Sequence, residues 1–116
     1  MRMLMAVMVA ALLAGCAGSV MNEARLKSPY KALSSAKAEQ VVAQCVQFAW
    51  QDEAVFGVDA AAYLESAGGG GYTVYTRSAE SFADIRGQVS GTSVNYYAVR
   101  DDWVAKRRLA ALATCL

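Results

Sequence analysis

Histidine is absent from this chain of 116 residues, and proline appears once, at Pro29. Without histidine there is no Ser-His or Cys-His pair to activate a nucleophile. Zinc sites also lose their commonest nitrogen ligand, so no metal and no cofactor is implied. Excess charge of one sign is missing too: eleven Lys and Arg stand against ten Asp and Glu. That balance offers none of the clustered basic surface a nucleic-acid partner would need. The one glycine run, Gly68-Gly69-Gly70-Gly71, lacks the Gly-Lys-Ser/Thr ending of a phosphate loop and leads into Tyr72, so it reads as a hairpin turn. The paired carboxylates Asp52/Glu53 and Asp101/Asp102 flank helix ends, where capping accounts for them, and the chain does not read as an enzyme.

A long hydrophobic run is also lacking. The most apolar stretch, Met3 to Gly15, follows a lone cation, Arg2, and falls short of the ~20 residues that span a bilayer. Nor has it the polar face of a surface helix. A short basic start, an apolar segment and small residues before a cysteine make a processing signal. Leu13-Ala14-Gly15-Cys16 resembles the lipobox of bacterial lipoproteins. The resemblance implies cleavage before Cys16, a diacylglyceryl group on its sulfur and acyl chains that anchor the protein in membrane lipid. Ala17, in place of an aspartate after the cysteine, implies sorting to the outer membrane with the domain facing the periplasm. In layout the chain also resembles the small lipoproteins of proteobacteria and their prophages.

On this reading residues 1–15 are a signal peptide, 16–33 the lipidated Cys16 and a tether, and 34–116 a single periplasmic domain. Part of the tether, from Arg25 to Leu33, has the apolar side chains to lie against that domain. Losing residues 1–15 removes Arg2 and no carboxylate, leaving ten charges of each sign. Export also changes how Cys45 and Cys115 read. An even pair in an oxidising compartment is most simply a disulfide, with two buried thiols as the alternative.

Ser34-Ser35 is placed to cap a helix running from Ala36 to Trp50, with apolar residues at 38, 41, 42, 45, 48 and 49 forming its inward stripe. Residues 58–67 fit helix or strand. Tyr72 to Arg77 and Ser93 to Val99 are rich in β-branched and aromatic residues and predict strands, with a weaker strand over Ser81 to Val89. Asp101 or Asp102 then caps a last helix ending near Cys115. The expected fold is α+β, two helices on a three- to four-stranded antiparallel sheet, stapled by one disulfide. Tyr75 and Tyr97, on the sheet face opposite the core, are candidates for a partner surface. So are Lys106, Arg107 and Arg108, whose plainer reading is a solvated helix face paired with Asp101 and Asp102. Function narrows to two classes. One is a binding or structural module of the envelope that engages an envelope protein. The other is an inhibitor, immunity or exclusion lipoprotein that blocks an incoming toxin, enzyme or phage.

Overall fold

The computed structural model describes residues 18–116, so Cys16 and the processing signal lie outside it. The fold is mixed α+β: helices pack on a five-stranded, wholly antiparallel sheet of order β1-β5-β4-β3-β2. After a helical segment α1 (18–25), the chain enters β1 (Lys31–Ser35) and α2 (Glu39–Asp52). Strands β2 (Ala62–Ser66), β3 (Tyr72–Thr76), β4 (Ser81–Gln88) and β5 (Gly91–Ala98) form a meander, and α3 (Trp103–Ala113) closes the chain.

The helical layer covers one sheet face. Val42, Val46 and Trp50 of α2 meet Val74, Ile85, Val94 and Tyr96, with Leu112 and Cys115 filling the far side. Every one of these is at most 1% exposed, so this face is a dry apolar core of the kind hydrophobic burial favours. The Trp50 indole donates to the Arg108 carbonyl at 2.9 Å. The Tyr96 hydroxyl reaches the Ala105 carbonyl at 2.8 Å. Each aromatic therefore ties its polar tip to α3, avoiding the cost of an unpaired buried donor. Burial pushes the Tyr96 phenol up to about 12. Cys45 and Cys115 form the disulfide, with their Cα atoms 5.6 Å apart, and it joins the middle of α2 to the turn after α3.

Several local expectations change. Ser34 and Ser35 belong to β1 rather than to a helix cap, and α2 starts three residues later than predicted, behind Ala38. Ser35 Oγ instead accepts the Lys37 amide at 3.1 Å, turning the chain between strand and helix. The inward stripe of α2 is rotated from the one predicted. Val42, Ala43, Val46 and Trp50 are buried, whereas Val41 and Phe48 are more than half exposed. The single-sided contact with the sheet accounts for this: a helix that packs on one layer buries one stripe, and the two apolar positions outside it face solvent. The tether is also shorter than expected, because residues 18–25 are helical and β1 pairs with β5, setting Leu33 against Val94. β1 has no β-branched residue; its strand character comes from ladder hydrogen bonds to β5, a tertiary contribution that propensity does not carry.

The tetraglycine turn joins β2 and β3 as predicted. Gly71 has φ +81°, and a Cβ there would collide with the Ile85 carbonyl oxygen, so no other residue fits. Residues 62–66 are a strand, which resolves the open segment before the turn. At the last helix, Asp102 is the cap: its Oδ1 accepts the Ala105 amide at 2.9 Å.

Candidate functional site

The sheet's second face carries a row of aromatic side chains running across four strands. Register sets Tyr63 beside Tyr75, Tyr75 beside Phe82, and Phe82 beside Tyr97. Tyr63 and Tyr75 rings lie 5.2 Å apart, and Phe82 and Tyr97 stack at 4.6 Å. Helix α1 covers one half of the row: Met21 packs on Phe82, Tyr97 and Ala79. Arg25 clamps this helix down through two 2.7 Å bonds to Asp84, one to each carboxylate oxygen. Its guanidinium also lies 5.2 Å over the Phe82 ring. The bond to Asp84 raises the Arg25 pKa above its ordinary value. Thr73 donates its hydroxyl to the same Asp84 at 2.8 Å, so the carboxylate is well partnered where it is buried.

The two predicted tyrosines therefore fare differently. Tyr97 is only 8% exposed, lying beneath α1, and does not present a free surface. Tyr75 is partly exposed beside Tyr63, and its hydroxyl donates to Glu65 at 2.6 Å. That bond pushes the Tyr75 phenol up to about 12.

The basic cluster also separates. Lys106 is exposed, in line with a solvated helix face. Arg107 pairs with Glu53 through bonds of 2.9 and 3.0 Å and lies 3.9 Å over the Phe56 ring. Arg108 is the correction: it is 3% exposed, faces the sheet and does not pair with Asp101 or Asp102. Consecutive residues on a helix point about 100° apart, so the three cations cannot share one face, and packing of α3 on the sheet turns Arg108 inward. The cluster is not one surface.

Arg108 sits at the end of the sheet where β4 begins and β5 finishes. Its Nη1 donates to Ser81 Oγ at 3.1 Å and lies 3.7 Å from Glu80 Oε2. Its Nε is buried without a hydrogen-bond partner. A buried guanidinium normally has its donors satisfied and its charge matched by a carboxylate. Among the described residues the one carboxylate within 4 Å of Arg108 is that of Glu80, whose side chain is 57% exposed, so the match is loose. The hydroxyl of Tyr96 stands 3.5 Å from Ser81 Oγ on the core side.

Beside Arg108 a pocket of about 170 Å³ opens between the start of β4, the end of β5 and the first turn of α3. Val99, Val104 and Ala105 supply its apolar wall, and Arg100 and Asp102 stand on the polar side. The chain reaches it through a strained corner: Ser78 and Ala79 both have positive φ, at 59° and 52°. Two successive non-glycine residues in the left-handed region are costly and persist only where the surroundings hold them. Part of that support is visible: Thr76 Oγ1 bridges the corner, accepting the Ser81 amide at 3.0 Å and lying 3.2 Å from its carbonyl. Ala79 is fully buried. Asp59 pairs with Arg77 on the outer side of the same corner at 2.9 Å. The Ala61 amide and Arg77 together hold the Asp59 carboxyl below the usual carboxylate range.

This pocket was not legible in the sequence. Arg108 looked like one of three exposed cations, and Glu80, Ser81 and Val99 carry no motif; only the fold brings them together. Among the described residues, no group of three or more Cys, Asp or Glu gathers in a way that could hold a metal ion. No described helix is long and apolar enough to cross a membrane. No protein-family model, curated protein or solved structure matches the chain.

Proposed function

We propose that this protein is a lipid-anchored periplasmic domain that acts by binding, as a module of the cell envelope. The observation that carries the reading is the cysteine pattern. Cys16 ends a Leu13-Ala14-Gly15 lipobox-like signal, and Cys45 and Cys115 stand outside it as an even pair. Their disulfide suits an oxidising compartment, and a domain of this size gains much from such a cross-link. Two or three acyl chains on Cys16 hold a protein stably at a membrane, where a single chain would be marginal. With helix already present at residue 18, the anchor is close to the folded unit, so the domain works near the membrane surface. The half-open aromatic row at Tyr63 and Tyr75 and the Arg108 pocket are its two candidate contact points.

The test is the intact, non-reduced mass of the protein extracted from membranes of a Gram-negative host expressing the full precursor. A mass for Cys16 to Leu116 plus acyl chains, gaining one pair of hydrogens on reduction, supports anchor and compartment together. An unprocessed, unacylated chain overturns both. Deletion then separates the module from the inhibitor reading. A constitutive envelope defect marks the former, and a defect seen only on challenge by a toxin or phage marks the latter.

A further inference from the structure

The geometry points to the Arg108 pocket as a binding site for a small carboxylate bearing a short apolar group. This deepens the binding reading above and rests on it. Three observations converge. The Arg108 side chain is 97% buried, yet its Nε has no hydrogen-bond partner. Among the described residues one carboxylate comes within 4 Å of it, Glu80 at 3.7 Å, beyond hydrogen-bond distance, and that side chain is mostly in solvent. A guanidinium presents a planar fork that matches a carboxylate's two oxygens, so Arg108 has the shape as well as the sign to hold one.

The pocket's walls narrow the ligand class. At about 170 Å³ it is smaller than the ~300–1,000 Å³ that drug-sized ligands occupy, so a short organic acid fits. Val99, Val104 and Ala105 provide an apolar wall for its carbon end. Glu80 and Asp102 are both on the lining. Arg100 and Arg108 balance Glu80 and Asp102 on that lining, so the pocket holds no excess positive charge for a dianionic phosphate, whereas a monocarboxylate substitutes for Glu80, which swings into solvent. Glu80 is thus the resident competitor, and the loosely held ion pair is the feature a ligand exploits.

The full chain, purified in detergent, is titrated with butyrate while the Arg108 Nε–H and the Ser81 and Ala105 amides are followed by ¹H–¹⁵N NMR. All three resonances are expected to move and saturate, with Kd on the order of 1 mM, the weak end of specific affinities. Butyramide, equal in shape and uncharged, leaves them in place. Glu80→Gln, a substitution on the exposed rim, tightens butyrate by about two- to fivefold, the range of an exposed ion pair. Arg108→Lys keeps the charge but loses the fork, and weakens binding at least about tenfold; the wild type and Glu80→Gln carry the test if this variant fails to fold. Acetyl-glycyl-valine distinguishes the source. Binding tighter than butyrate assigns a protein C-terminus, and equal or weaker binding assigns a free acid. No saturable shift in either wild type or Glu80→Gln, equal binding of butyramide, or tighter binding of inorganic phosphate overturns the assignment. Because the anchor is read by mass and the pocket by titration, each can fail without the other.

Discussion

Against the helical layer the sheet presents Val74, Ala83, Ile85, Val94 and Tyr96, all without exposed surface. Its other face presents Thr73, Asp84, Phe82 and Tyr97, ending in the half-exposed Tyr63. The first face is held by apolar burial over two helices and a covalent link. The second is held by one short helix, a clamp of Arg25 on Asp84 and a few ring contacts. The difference teaches that the two faces should respond to separate perturbations. Damage to the first unfolds the domain, while damage to the second undocks a helix and exposes half a row of aromatics. That follows from cooperativity: fluctuations of a peripheral segment with few buried contacts cost less than global opening.

The largest effect is expected at the covalent link. Replacing Cys45 and Cys115 by alanine together removes a cross-link between residues 70 apart in sequence. Loss of roughly 4 kcal/mol of stability is expected in the chain-entropy account, measured by urea unfolding under non-reducing conditions. A change below 1 kcal/mol would show that the apolar face needs no staple. Leu112→Ala, at a side chain with no exposed surface, comes next, at about 3 kcal/mol with amide exchange accelerated throughout.

Arg25→Ala sharpens the contrast from the other side. It is expected to cost about 1–2 kcal/mol, since the pair is only partly buried, and to release amide protection in residues 18–25 while the core strands keep theirs. Core strands losing protection equally would mean that the two faces form one cooperative unit.

The smallest effect lies at high pH. The phenols of Tyr96 and Tyr75, one on each face, are both raised to about 12, by burial and by the bond to Glu65 respectively. A phenol whose pKa rises on folding favours the neutral form, so its contribution is complete below the unfolded value near 10 and vanishes as pH climbs through about 12. Followed by phenolate absorbance, Tyr75→Phe should remove a late-titrating group without altering the unfolding midpoint at neutral pH by more than about 0.5 kcal/mol, because that ring is partly exposed. Tyr96→Phe removes a second late group and also costs stability at neutral pH, because its hydroxyl ties the sheet to α3.

What was readable in the chain is what local chemistry controls. The aromatic and β-branched runs at Tyr72–Thr76 and around Tyr96 are strands, the tetraglycine run turns a hairpin, and Asp102 caps α3. Strand β4 read weakly for a physical reason: Ser81 to Ile85 are all buried, so the alternation that marks a half-wet strand is missing. β1 was invisible because its five residues are strand only by pairing with β5. The pocket was invisible because two of its walls, around Glu80 and Arg108, meet only when β4 and α3 are packed.

By itself, the sequence pointed to the mixed α+β class, to Cys45 and Cys115 as the simplest disulfide pair and to no histidine chemistry, because each depends on residue type, parity or short-range periodicity; the bond itself is seen in the fold. Tertiary structure alone decided which of Lys106, Arg107 and Arg108 is buried, which of Tyr75 and Tyr97 is covered, and where α2 turns its apolar stripe. Those outcomes depend on helix rotation and on the seating of α1 across the outer face. Such choices are set by packing between segments far apart in the chain, and no local pattern encodes them.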